Sequence, residues 1–243
     1  MLYLLLLIGP LALAMWAQWR VHSAYGEASK IPARSGMTGA EAAQAVMEAH
    51  GIQGVAIEPA RGFLSDHYDP RAKVLRLSED VYSGHSVASV GIAAHEAGHA
   101  IQDATHYAPL KLRNGIVPLA AVGSNAGVMM MFLGLVLGAS ASIAKGLHTG
   151  VGFWLFIGGI VLFSAVVLFQ LINLPVEYDA SRRAKDLLQS SGLVAQGEEA
   201  AAMNKVLNAA ALTYVAATVG AIATLLYYLL ASGLLGGRGD SRN

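Results

Sequence analysis

Cysteine is absent from the 243-residue sequence, and charge is scarce: Lys, Arg, Asp and Glu together make up 13%. Without cysteine there are no disulfides, no thiolate metal sites and no cysteine nucleophile, so any metal must be held by histidine and carboxylate. A soluble domain carries about 25% charged residues. The present composition, 55% hydrophobic with a mean hydropathy of +0.50, is of membrane type. Sixteen basic and sixteen acidic residues cancel, so the charge balance points to no polyanionic partner, and nucleic acid is not expected.

The missing charge is patterned. Between Asn114 and Val176 the only charged residue is Lys145, and between Val206 and Leu235 there is none. A span needs about 20 apolar residues to cross the hydrocarbon core. Four segments qualify, at about 2–19, 116–141, 151–174 and 207–233. The first has a small-residue "ALA" at 12–14 but no basic residues before its apolar run, so an uncleaved anchor is expected rather than a signal peptide. The expected organisation is an anchor (1–19), a polar region (20–115), a transmembrane hairpin (116–174), a second polar stretch (175–206), a last span (207–235) and a tail (236–243).

Four spans place 20–115 and 175–206 on one side and both termini with the 144–150 hairpin on the other. Thirteen Lys and Arg fall on the first side; Lys145, Arg238 and Arg242 fall on the second. The positive-inside rule makes the first side cytoplasmic. The expected fold class is an α-helical membrane protein, with four transmembrane helices and a small α+β layer on the cytoplasmic side.

In that layer, "MTGAEAAQAVMEAHG" (37–51) reads as a helix with a Thr38–Glu41 capping box and a stop at Gly51. "GVAI" (54–57) and "KVLRLS" (73–78) read as strands, and "DHYDPR" (66–71) as a turn between them. The 73–78 strand is a candidate for pairing with an extended substrate. A helix follows from Ser86, and Pro109 breaks the chain before the second span. "PVEYDASRRAKDLLQSSG" (175–192) reads as a separate helix with Pro175 near its start.

The chemistry sits in His95-Glu96-Ala97-Gly98-His99, an H-E-x-x-H pattern on that helix. Histidines four apart share one helical face, where two imidazole nitrogens can hold one tetrahedral Zn²⁺. Glu96 stands about 100° around the axis, beside the open metal position, placed to take a proton from metal-activated water and pass it to a leaving amine. Gly98 leaves the backbone uncluttered there. With eight His and nine Glu, chance would give the pattern roughly 0.01 times. The plainer alternative is a hydrogen-bonded pair of histidines, since polar groups in an apolar helix need partners in any case.

A third ligand must come from His22, His50, His67, His85, His106, His148 or a carboxylate; His148 lies on the wrong side. Glu177 opens the 175–192 segment, although a carboxylate in a first turn is favoured by the helix dipole regardless of metal. His106, His67 and Asp179 remain alternatives. Tyr178, His106, Tyr82 and His85 are candidate oxyanion donors, each equally readable as an ordinary interfacial residue. Asn125 and the glycines of "GFWLFIGG" (152–159) read as helix packing, and Arg182, Arg183 and Lys185 as a basic face beside lipid.

"DHYDP", "VLRLSEDVYSGHSVASVGIAAHEAGHAIQDA", "LPVEYDASRRA" and "ALTYVAA", spread from about residue 36 to 217, together resemble the YugP-type neutral zinc metallopeptidase family. The resemblance implies a multi-pass bacterial inner-membrane zinc endopeptidase of gluzincin type, acting on protein or peptide substrates. More distantly, "EYDASRRA" is similar to the E-[FY]-x-A-D-x-x-A pattern of HtpX-like membrane peptidases, whose glutamate is the third zinc ligand. That glutamate falls on Glu177, and the alanines on Ala180 and Ala184. The aspartate that buttresses a zinc histidine falls on Ser181, leaving Asp179 or Asp103 to supply a carboxylate. Two other readings compete: a site-2-type intramembrane metalloprotease with Asp179 as ligand, and a non-enzymatic zinc-binding membrane protein. The short stretch before His95 weighs against the first, and Glu96 against the second.

Overall fold

A computed structural model describes residues 1–235; the tail 236–243, with Arg238 and Arg242, lies outside the described residues. The order is α1 (Leu2–Ala28), α2 (Gly39–Glu48), β1 (Ala56–Ala60), β2 (His67–Asp69), β3 (Val74–Ser78), α3 (Glu79–Tyr82), α4 (Val87–Ala104), α5 (Ala108–Val122), a π-helical turn (Gly123–Gly127), α6 (Val128–Val136), α7 (Ala139–Ala144), α8 (Val151–Ser190) and α9 (Glu198–Ser232). Four stretches, Leu2–Ala28, Ala108–Val136, Val151–Ser190 and Glu198–Ser232, are long and apolar enough to cross a membrane. The protein is mostly helical with one small mixed sheet. The described residues divide into two units, one built from 1–15, 112–172 and 215–235, the other from 16–111 and 173–214.

The second unit carries the sheet and α4. The capping box opens α2 as its sequence requires: Thr38 Oγ1 accepts from the Glu41 N–H, and Glu41 accepts from the Thr38 N–H. In the sheet, β3 is central, parallel to β1 and antiparallel to β2. Both its edges are therefore occupied, which removes it as the strand that would pair with a substrate. The 66–71 segment is only partly a turn. His67–Asp69 pair with β3, and the turn begins at Asp69, whose Oδ1 accepts the N–H groups of Arg71 and Ala72. Val87, Val90, Ala93, Ala94, Ala97 and Ile101 of α4 pack into the main core with Leu75 and Leu77 of β3. A helix so rich in small residues approaches its neighbours closely.

Two proline readings need correction. Pro109 does not break a helix; it lies in the first turn of α5, where no N–H is needed, and the break falls at His106 (φ +57°). The second span accordingly begins at Ala108 and ends at Val136, with Gly138 (φ +89°) separating it from α7. The third span and the 175–192 helix are one element, because α8 runs through Pro175. Proline removes one N–H and crowds one carbonyl. Val176, Ala180, Ala184 and Leu188 just beyond it are fully buried, and this packing holds the helix past the defect.

In the first unit, the 112–136 stretch packs on the start of α8 through glycines. A Cβ on Gly134 would stand 2.6 Å from the Phe156 nitrogen, one on Gly152 2.5 Å from the Leu137 oxygen, and one on Gly159 2.6 Å from the Met131 nitrogen. The glycines of "GFWLFIGG" are thus contact points, as small residues are between membrane helices. Gly134→Leu is expected to force these helices apart and destabilise the protein by at least about 1–3 kcal/mol. A lowered unfolding temperature in detergent checks this; an unchanged one contradicts the packing.

Candidate metal centre

Gly98 decides how the centre is assembled. A Cβ there would lie 2.8 Å from the Ala180 carbonyl oxygen and 3.3 Å from its Cα, so α4 and α8 touch backbone to backbone. The glycine was read above as clearing space for a metal; what it clears is space for α8. Glu177 lies one turn before the contact and Ser181 beside it, so both are delivered to the histidine pair.

His95 Nε2 lies 3.3 Å from Glu177 Oε2, and His99 Nε2 lies 3.4 Å from the same oxygen. The three residues are buried, Glu177 to 2% exposure, and they form a cluster positioned to bind a metal ion. Glu177 Oε2 has no hydrogen-bond partner. A buried carboxylate oxygen with only two imidazole nitrogens at 3.3 and 3.4 Å is incompletely compensated, and a cation at the focus of the three atoms would complete its coordination. Atoms bound to one zinc at about 2.0–2.1 Å in tetrahedral geometry stand about 3.3–3.4 Å apart. The separations match, and two nitrogens with one oxygen are a donor set zinc accepts.

The histidines are oriented from behind. Ser181 Oγ lies 3.1 Å from His95 Nδ1, and Gln102 Oε1 lies 3.0 Å from His99 Nδ1. The Gln102 amide nitrogen donates to the Val176 carbonyl and to Asp179 Oδ2, at 2.8 and 2.9 Å. With its N–H groups committed to two acceptors, Gln102 can only accept from His99. His99 therefore carries its proton on Nδ1 and presents the Nε2 lone pair to the metal position. Asp179 is held in turn by Arg182 and Arg183.

Electrostatics follow from the same contacts. Burial opposes charge on Glu177, but the two imidazoles hold its carboxyl well below the usual carboxylate range. Burial likewise opposes charge on His99, and the Glu177 carboxylate overrides it and raises the His99 pKa. For Asp179, burial is outweighed by Gln102, Arg183 and Arg182, so its pKa falls.

Other sequence candidates lie elsewhere. His67 faces the Ser65 carbonyl, His85 the Gly36 carbonyl and His50 the Val46 carbonyl; His22 stacks on Phe63, and His106 is exposed. Asp103 does not back a histidine: it binds Lys73 and Tyr68. Asp179 does so through Gln102 rather than directly. Tyr178 is half exposed. Gln102, fully buried and essential to the arrangement, escaped sequence reading; its signal was its place one turn after His99 on the same face.

Residues 3–233 match the family described as "Putative neutral zinc metallopeptidase". The chain belongs to this family. Its relative "Putative membrane protease YugP" of Bacillus subtilis (strain 168) is 43% identical over 230 residues, covering 95% of this chain and 96% of that one. No solved structure matches the chain. Membership of a zinc peptidase family agrees with the donor set, and the relative's name with four apolar helices.

Gln102→Ala is expected to lower zinc affinity by about 10–100-fold, read by competition with a chromophoric chelator; unchanged affinity contradicts the orienting role. Protons compete with metal for His99. Because its pKa is raised, zinc affinity is expected to begin falling at a higher pH than an ordinary histidine would give. Without metal, the His99 contribution to stability is complete below about pH 6.5 and lost as pH rises through its raised pKa. The Glu177 contribution is complete above about pH 4.5 and lost as pH falls through its depressed one. Chelator-treated protein is therefore expected to have its highest unfolding temperature between about pH 4.5 and 6.5, a dependence that zinc reverses.

Proposed function

We propose that this chain is a membrane-anchored zinc endopeptidase whose ligands are His95, His99 and Glu177 and whose general base is Glu96. The observation that carries the reading is the convergence of three buried ligand atoms at spacings that suit zinc, with Glu96 beside them lining an open cavity. When bound, zinc supplies Lewis acidity to both the attacking water and the scissile carbonyl. Glu96 accepts the proton of that water and returns it to the departing amine. Ser181 and Gln102 fix the imidazole planes, and Asp179 polarises the His99 side through Gln102. Two histidines four apart with a distant glutamate are what the gluzincin reading requires.

The basic residues of 20–115 and 175–206 support a cytoplasmic catalytic layer, acting on membrane or membrane-proximal proteins. Asp179 is a poor ligand candidate, since Gln102, Arg182 and Arg183 already hold its carboxylate, and this weighs against the site-2 reading. A pure zinc carrier has no use for Glu96 at a cavity wall.

Glu96→Gln is expected to keep full zinc content while losing at least about 10²-fold in peptide hydrolysis. The check is paired metal analysis and cleavage of a quenched fluorescent peptide by the purified full-length protein. Undiminished cleavage by the Glu96→Gln protein contradicts the reading.

A further inference from the structure

A cavity of about 250 Å³ opens beside the metal centre and includes His95 and Glu96 in its wall. Much of the remaining wall is apolar: Val21 of α1, Leu64 of the β1–β2 loop, Ile92 of α4, and Leu207 and Ala210 of α9. Set among these is a second carboxylate, Asp66. It has no part in the metal cluster.

The loop that brings Asp66 there is pinned at both ends. Phe63 stacks on His22 with ring centres 5.3 Å apart and meets the Tyr25 ring edge-on at 5.1 Å, both on α1. Leu64 takes a left-handed conformation, φ +49°, which is unfavourable for a residue with a side chain. In that conformation Leu64 lines the cavity. Asp66 is then held by Ser78: its Oδ1 accepts the Ser78 N–H at 2.7 Å and the hydroxyl at 3.0 Å, with the hydroxyl 3.2 Å from Oδ2. One hydroxyl proton cannot satisfy both oxygens. Among the described residues, no Lys, Arg or His forms an ion pair with Asp66. Burial pushes its pKa up, against the Ser78 hydrogen bonds that lower it.

A half-buried carboxylate without a cation beside it is favoured by one that arrives. Here the space beside it belongs to the same cavity as the proposed general base. Lys and Arg side chains bury an apolar stem and keep a charged end. Their shape matches an apolar wall that carries Asp66 apart from the metal cluster.

We propose that Asp66 determines specificity by receiving a cationic nitrogen of the peptide, carried on a Lys or Arg side chain seated in this cavity. A free α-ammonium offers the same charge but no stem to cover the apolar wall. The assignment rests on the peptidase reading, and binding can be measured apart from turnover.

The test uses full-length, zinc-loaded Glu96→Gln protein in detergent, which is expected to turn substrate over at least about 10²-fold more slowly and leaves Asp66 as the cavity's carboxylate. The probes are alanine-rich decapeptides with Lys or norleucine scanned through the central positions, each with a free or acetylated N-terminus. At one position Lys is expected to bind at least about 10-fold more tightly than norleucine, and added Asp66→Asn is expected to erase the difference. Asparagine keeps an acceptor for Ser78, so a purely structural Asp66 would leave the difference intact. Equal affinity for Lys and norleucine, no binding by either, or a preference that survives Asp66→Asn overturns the proposal. A preference that follows the free N-terminus instead of Lys overturns the side-chain assignment. Charge-dependent binding without cleavage by the unmodified protein sinks the peptidase reading alone; cleavage indifferent to Lys sinks only the role of Asp66.

Discussion

The contact of Gly98 with the backbone of Ala180 is the constraint on which the centre depends. Two helices cannot approach this closely through any residue with a side chain, and only at this distance does Glu177 reach both histidines. Ala180 and Ala184, fully buried on α8, extend the same requirement for small side chains along the interface. Gly98 and these alanines therefore serve geometry before chemistry. The carboxylate is brought in by packing, and its unpaired oxygen then makes a cation favourable.

From that contact a chain of hydrogen bonds runs outward. His99 leans on Gln102, Gln102 on Asp179 and the Val176 carbonyl, and Asp179 on Arg182 and Arg183. Each link fixes the direction of the next, so the tautomer of a buried histidine is set by arginines on the following turn of α8. His95 receives only a hydroxyl, from Ser181. The two imidazoles are thus unequally supported, one by a relayed carboxylate and one by a neutral group. The basic face of α8, which sequence reading explained by lipid, has this second use.

What the sequence disclosed and what it hid divide along physical lines. Histidines four apart and a capping box are local patterns, and both appear in the structure where spacing puts them. Helices were recognisable from long charge-free runs, but their ends were not, because proline at 109 and 175 is tolerated in a first turn or beside tight packing. β2 was missed because its three residues are too few for periodicity and adjoin a genuine Asp-Pro turn. The sheet order was also hidden, since nothing local says that the third strand lies between the first two. Gln102 and Asp66 matter through partners 77 and 12 residues away, distances that no local pattern spans.

The central claim is that Gly98 lets α8 place Glu177 on a zinc held by His95 and His99. X-ray absorption at the zinc edge, on purified full-length protein loaded with one equivalent of zinc, tests it directly. The expected spectrum shows nitrogen and oxygen neighbours at about 2.0–2.1 Å with the outer-shell scattering of two imidazoles. Gly98→Val is expected to alter that shell by withdrawing the carboxylate. A shell of three or more imidazoles, one without imidazole, or one indifferent to Gly98→Val would contradict it.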